Sequence, residues 1–399
     1  MFFSVTSLFN GLRNQIKQTF NDVKTLDKSF ASIAMVTKYS VAEMWDQYGK
    51  YADMAAELGQ KTNSVIQASA LFYQQGLNTN EALELTTNTM KLATLAGNDF
   101  ATATQEMTSA IRGFKMEMNE GDRVADVYSN LAAHAAASVD DIAQAMARTA
   151  SIANSAGMSF ENTSAFLTQM IETTQESAEN IGTSLKTIIA RFTELKENVA
   201  GTEDSEFEDL DFNKVDKALK SVGVQLKDTT GQFRNLDDVF LELSKKWDTL
   251  DRNTQRYVAT IAAGSRQQSR FIAMMDNYER TAELMDIAAE SEGKADEQFA
   301  KYADTMEYKL NQLSTKWEEF RVNLLDSDAF KGIIDVVTEL LDRLSGFKID
   351  SFFDFAKVAA GAIVAFKLIK NNIVMFLNNA KAFSASAQKL GGELVGYVR

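Results

Sequence analysis

Apolar residues from Val5 onward fall at Val5, Phe9, Leu12, Ile16, Phe20, Val23, Leu26, Phe30 and Ile33, eight steps over 28 residues or 3.5 per step. That is the seam period of a coiled coil. Arg13, Lys17, Asp22, Lys24, Asp27 and Lys28 fill the intervening positions as a solvated back, so residues 1–40 predict a coiled-coil-like helix. Phe9, Leu12, Ile16, Phe20, Val23 and Phe30 are its candidate seam. Residues 41–200 then alternate helical runs with small breakers, among them Gly59, Gly76 ahead of Leu-Asn-Thr-Asn-Glu81, and Gly97-Asn98-Asp99, as in a helical bundle with short connections. Within it, 76–114 and 157–192 share an order of glycine, helix, small-residue break and helix, which leaves open a degenerate internal repeat or two similar Ala/Thr-rich stretches.

Acidic residues cluster and helical periodicity lapses from Gly201, predicting a linker over 201–215. It is no calcium loop: with Asp204, Glu206 and Glu208 as the first ligands, Asp209 replaces the turn glycine and Val215 the closing glutamate. The alternation of Val222, Val224 and Leu226 before a turn at Asp228–Gly231 predicts a small β-hairpin, which opens a region of long helices over 216–346. Helices are expected from Leu236 through Arg280 with a break near Gly264. A stripe at Phe299, Tyr302, Met306, Leu310, Leu313, Trp317, Phe320 and Leu324 then runs at about 3.6 residues per step, the period of a core-facing helix. A shorter helix is expected over Ile333–Leu344, closed at Gly346. The fold class read from this pattern is mainly α, a bundle with long coiled-coil-like helices and one hairpin insertion.

Composition narrows the function. The 399 residues contain no proline, where average usage of about 5% predicts roughly 20, so residues that break helices have been avoided. Absence of cysteine removes disulfides, thiolate metal sites and cysteine nucleophiles. The single histidine, His134, lies in the helix-forming run Leu131–Ala137 and excludes any site needing two imidazoles. A net charge of −14, with both signs mixed through the first 345 residues, opposes specific nucleic-acid binding. Gly49-Lys50 and Gly293-Lys294 fail as phosphate loops, because Met44 and Ala288 stand where the first glycine belongs and Tyr51 and Ala295 where Ser or Thr belongs. Carboxylates are plentiful, but nothing in the pattern sets a pair apart, and the chain reads as no enzyme, with no cofactor and no metal. The amino terminus has neither a basic start nor an unbroken apolar run and does not read as a secretory signal.

Residues 347–399 differ from the rest: from Gly346 on, seven basic residues face three acidic ones. Phe355, Val358, Ile363, Val364, Phe366, Ile369, Ile373 and Phe376 are the candidate membrane- or partner-contacting positions of this hydrophobic helical region. Its longest uncharged run, Val358–Phe366, falls well short of the roughly 20 residues that span a bilayer. Lys367 and Lys370 would each cost about 2.5–3.5 kcal/mol at the centre of a transmembrane helix. A buried helix, an interfacial one and a spanning one therefore remain distinct readings.

Several segments, taken in order, resemble a region shared by phage tail tape measure proteins of siphophages and prophages: Ala70–Gly76, Gly182–Ile188, Val224–Trp247, Ile261–Gln267, Tyr308–Trp317 and Phe330–Asp335. The resemblance covers about residues 40–345. It implies a structural protein of the virion tail that occupies the tube lumen, sets tail length with tube subunits and tail assembly chaperones, associates with its own copies, and assists genome delivery. Its expected locations are the host cytoplasm during assembly, the tail lumen in the virion, and the host membrane on infection. A membrane-active delivery protein that inserts its C-terminal helices, and a generic coiled-coil adaptor, are the alternatives. At about 1.5 Å per residue one unbroken helix of this chain would reach only about 600 Å, and the glycine breaks forbid it, so length-encoding helices are expected outside this region.

Overall fold

The structure, a computed structural model, describes residue 18 and residues 21–193 and 212–325. In chain order the helices are α1 (21–34), α2 (Val41–Trp45), α3 (Tyr48–Glu57), α4 (Thr62–Gln74), α5 (Thr79–Ala96), α6 (Phe100–Phe114), α7 (Gly121–His134) and α8 (Val139–Ser155). There follow α9 (Phe160–Thr174), α10 (Ala178–Thr193), α11 (Phe212–Ser221), α12 (Leu236–Trp247), α13 (Arg252–Met275), α14 (Tyr278–Ala289), α15 (Lys294–Ala303) and α16 (Met306–Leu325). The fold is mainly α, and no strand occurs among the described residues. They fall into two compact units, Met1–Ala70 with Ala303–Arg399, and Leu71–Tyr302.

Local chemistry sets the helix starts. Ser40 with Glu43, Asn78 with Glu81 and Ser138 with Asp141 form reciprocal capping boxes, and Asp99, Ser159 and Asp251 each accept backbone N–H groups that the first helical turn leaves unpaired. Gly97 ends α5 in the left-handed region (φ 72°), where a Cβ would be strained.

In the first unit the seam of α1 turns inward at Leu26, Phe30 and Ile33, all buried, with Val23 half-buried. Phe30 meets the ring edges of Trp45 (5.2 Å) and Tyr51 (5.7 Å), so the described part of the seam packs on its own chain. Phe9, Leu12, Ile16 and Phe20 lie outside the described residues. α16 seats on the end of α3: Tyr308 Oη donates to Glu57 O (2.5 Å), Thr315 Oγ1 to Gln60 O (2.5 Å) and Gln312 Nε2 to Ala56 O (3.3 Å). Glu57 O is a carbonyl that the end of α3 leaves without an intrahelical donor, Ala56 O is shared with the Gly59 N–H, and Gln60 O lies in the connection that follows.

In the second unit α8 runs between α6 and α10, and the hairpins α5–α6 and α9–α10 are each entered by a positive-φ glycine, Gly76 and Gly157. A chain of rings, Phe166, Phe240, Phe192, Phe271 and Trp247, joins α9, α12, α10 and α13, with Trp247 Nε1 donating to Asp276 Oδ1 (2.6 Å).

Three expectations change. The hairpin reduces to one isolated antiparallel bridge, Lys227 to Phe233. Val224 and Leu226 do alternate inward, but the backbone at 222–224 closes α11, Val224 N–H bonding Leu219 O (3.0 Å), and only a turn organised by Asp228 remains for pairing. The helical stretch expected through Arg280 breaks between α13 and α14 at Asp276–Asn277. The stripe from Phe299 to Leu324 is broken between α15 and α16, and Met306 and Leu310 are 48% and 50% exposed. The acidic segment up to Asp211 lies outside the described residues, whereas Val215 is a buried residue of α11.

Candidate functional site

Small residues on α6, α8 and α10 let three helix backbones approach closely. A Cβ at Gly182 would lie 2.5 Å from Ala145 O and 3.0 Å from Ala145 Cα, and one at Gly113 would lie 2.4 Å from Ala150 Cβ. Thr149 shares its hydroxyl between Ala145 O and Gly182 O, each at 3.0 Å, binding the two helices where no side chain intervenes. This seat contains Gly182, the first residue of a segment that carries the resemblance.

The same helix α6 carries a buried carboxyl. Glu106 follows Ala103 and precedes Ala110 on the inward face of α6, and it is 3% exposed. Asn98 Nδ2 reaches Glu106 Oε2 (3.4 Å) and Asp140 Oδ1 (2.5 Å), which ties the α5–α6 connection to the start of α8. Glu106 Oε1 and the Tyr128 hydroxyl are both buried without a hydrogen-bond partner. Burial, reinforced by the nearby charge of Asp140, pushes the Glu106 carboxyl up to about 7 against the pull of the Asn98 bond. Burial, and then the Glu106 charge, raise the Tyr128 phenol well above its ordinary value. The periodicity of Ala103, Met107 and Ala110 places Glu106 on the apolar face, a sequence signal that the reading above did not use.

The remaining helices are fastened by polar side chains on helix ends. Asp126 of α7 accepts the N–H groups of Gly293 (2.8 Å) and Ala295 (2.7 Å), capping α15, while Asn130 Nδ2 donates to Ile287 O (2.7 Å). Arg280 places Nε and Nη2 on the two oxygens of Glu172 (3.2 and 2.9 Å) and also donates to His134 O (2.6 Å). Arg270 Nε donates to Glu176 Oε2 (2.9 Å). At Gly264 (φ 72°, ψ 169°) α13 breaks into two helices, and Arg191 fills the gap, its Nη1 donating to Ile261 O (3.4 Å).

These groups hold helices together; they offer no nucleophile beside a base. No group of His, Asp and Glu able to hold a metal ion occurs among the described residues. His134 is an exposed residue of the last turn of α7, its Nδ1 at 2.8 Å from Asn130 O. Of the candidate contact positions, Phe355, Val358, Ile363, Val364, Phe366, Ile369, Ile373 and Phe376 lie outside the described residues. Among the described residues no helix is long and apolar enough to cross a membrane.

Comparison with known proteins gives this helical framework a family. The model of the phage-related minor tail protein family matches residues 52–265, which include the small-residue seat, the buried carboxyl and the break at Gly264. The tape measure protein of Pneumococcus phage Dp-1 is 23% identical over 304 residues, 74% of this chain and 25% of that protein. The chain thus spans about a quarter of the length of the relative it matches. No solved structure matches. Because the family match covers more than half of the 399 residues, the chain belongs to the phage-related minor tail protein family and is a phage tail component.

Proposed function

We propose that this chain is the folded module of a tail tape measure protein, lodged in the tail tube, and that the helices encoding tail length lie elsewhere in the longer protein. The observation carrying this is how helices are used. Drawn as one helix, Leu71–Tyr302 would reach about 350 Å. Among its described residues the longest helix, α13, has 24 residues and is itself broken at Gly264, and the elements turn back to pack on one another. Such a unit contributes little length per residue. The name of the Dp-1 relative and the share of it that is matched support placing the module within a longer ruler. The tube subunit and the tail assembly chaperones are its proposed partners, with the host membrane met by residues beyond 346 during delivery.

Tails assembled with a tape measure lacking 71–302 in frame test the assignment by electron microscopy. The expected tails, where assembly proceeds, shorten by far less than 350 Å. Shortening in proportion, close to 1.5 Å per deleted residue, would refute it.

A further inference from the structure

Glu106 is held where its charge has no counterpart. It is 3% exposed on the inward face of α6, and its Oε1 is buried without a hydrogen-bond partner. Its other oxygen shares one amide with a second carboxyl: Asn98 Nδ2 reaches Glu106 Oε2 (3.4 Å) and Asp140 Oδ1 (2.5 Å), and Asp140 also accepts from Gln144 Nε2 (3.0 and 2.9 Å). Among the described residues, the helices α5, α7 and α8 that pack on α6 send no cation to this place. Lys91 of α5 pairs with Asp296, Arg123 of α7 with Glu120 and Glu161, and Arg148 of α8 with Glu179. Besides Asp140, the groups that bear on Glu106 are Asp99 at the start of α6, also negative, and Tyr128 of α7, whose buried hydroxyl is kept neutral by burial and by the Glu106 charge.

An ionised Glu106 therefore sets two like charges on one amide and leaves a buried oxygen without a donor, a costly state unless the group reaches water. The way to water is short. Glu106 lies about two turns from the α5–α6 corner, where Gly97 and Asp99 are exposed, and Asn98 in that corner is tied to α8 through Asp140. We propose that Glu106 is a proton-operated latch: with its proton it keeps the α5–α6 corner closed on α8, and loss of that proton opens the corner and the first turns of α6 while the rest of the unit stays folded. Such local openings cost less than unfolding a whole unit, because they break few buried contacts. The closed corner binds the proton more tightly: there the carboxyl keeps it up to about 7, whereas in water it releases it near 4.5. Opening therefore becomes easier as pH rises between those values and levels off above them. The latch stands independently of the tape-measure reading.

Hydrogen exchange of the unsubstituted full chain, followed by mass spectrometry at pH 5 and pH 8 and corrected for the intrinsic chemistry of exchange, reads the opening directly. For the amides of 103–107 the opening constant should rise about 70-fold between the two, the ratio that values of about 7 closed and 4.5 open require. At pH 8 these amides should also exchange faster than those of α9 and be unmoved by low urea, since a local opening exposes little surface. The amides of α9 exchange by unfolding of the unit and should accelerate with urea. If 103–107 followed α9 in urea at both pH values, Glu106 would act on global unfolding alone and the latch would be refuted. Glu106→Gln keeps the shape and cannot ionise, so it should hold 103–107 at their pH 5 protection throughout. A pH dependence surviving in that variant would overturn the proposal. Asp140→Asn removes the second negative charge and should move the rise in opening to lower pH, and a rise at unchanged pH would overturn the pairing of the two carboxyls on which the latch rests.

Discussion

Substituting Gly182 by alanine tests the closest helix contact. The added Cβ would meet Ala145 O at 2.5 Å, whereas ordinary contact begins near 3.4 Å, and the obstacle is backbone that no rotamer change can clear. α10 must therefore move off α8 by about 0.9 Å. A gap of that size forfeits a quarter to a half of the dispersion well for neighbouring atoms, and overpacked cores lose about 1–3 kcal/mol. The Thr149 hydrogen bond to Gly182 O is stretched as well, at a cost of about 1 kcal/mol. Alanine returns about 1 kcal/mol through its better helix propensity. The net expectation is a loss of about 1–3 kcal/mol, or roughly 3–10 °C in melting temperature for a unit of this size. A far-UV circular dichroism melt reads the shift, and hydrogen exchange should localise the weakening to α8 and α10. Gly49→Ala is the comparison: nothing lies within 4 Å of its added Cβ, so it should leave stability unchanged or raise it by up to about 0.5 kcal/mol. If Gly182→Ala behaved like Gly49→Ala, the close approach of α10 to α8 would be wrong.

Gly264→Ala should destabilise by about 1–3 kcal/mol in urea melts, because φ 72° with ψ 169° is open essentially to glycine alone and the Cβ would lie 2.7 Å from Arg191 Nη2. Glu106→Gln should flatten part of the pH dependence of stability. The native carboxyl keeps its proton up to about 7 while the unfolded chain releases it near 4.5, so the natural protein loses stability as pH rises between those values. The variant should gain on it by roughly 2–3 kcal/mol from pH 5 to pH 8 in paired urea melts, and a constant difference would contradict the buried carboxyl. Arg280→Ala should cost about 1–2 kcal/mol by releasing Glu172 and His134 O, and Arg280→Lys should recover only part of it, since an ammonium cannot reproduce the forked contact.

Periodicity made the helices legible because a buried face repeats along the sequence whatever it packs against. The seam of α1 was readable in this way, and Leu26, Phe30 and Ile33 are buried as their spacing requires. Periodicity does not reveal the partner: a seam at 3.5 residues leaves it undetermined, and Phe30 meets Trp45 and Tyr51 of its own chain. The inward face of α16 was misread for a related reason. Tyr308 and Thr315 take the inner position by donating to carbonyls at the end of α3 and in the connection after it, some 250 residues away in sequence. The Arg and Asp side chains that cap distant helix ends, Arg280 and Asp126 among them, were invisible for the same cause. Gly182 could be quoted from the sequence, but its partner Ala145 could not.

The breaks in these helices also bear on why the chain avoids proline. Every direction change needs a residue that stops a helix, and where that residue is a left-handed glycine, as at Gly76, Gly97 and Gly157, the fixed negative φ of proline cannot replace it. The two differ in reversibility as well. A glycine such as Gly97, which closes α5, can be absorbed into a continuous helix at about 1 kcal/mol, whereas a proline costs about 3 and leaves a kink. Gly264 shows the same property within one element: α13 continues on both sides of it, and the break is held open by Arg191 rather than by any covalent constraint at 264. A chain punctuated in this way folds into compact units and carries no fixed kink, which would suit the proposed place in a tail tube. Replacing Gly97 by proline or by asparagine tests whether the fold itself excludes proline. The left-handed backbone there excludes proline, so the folded unit should weaken by at least about 2 kcal/mol. An extended helical form would weaken by a similar amount, whereas Gly97→Asn should leave both nearly intact. If Gly97→Pro and Gly97→Asn were equally tolerated in the purified chain, the avoidance of proline would have no root in this fold.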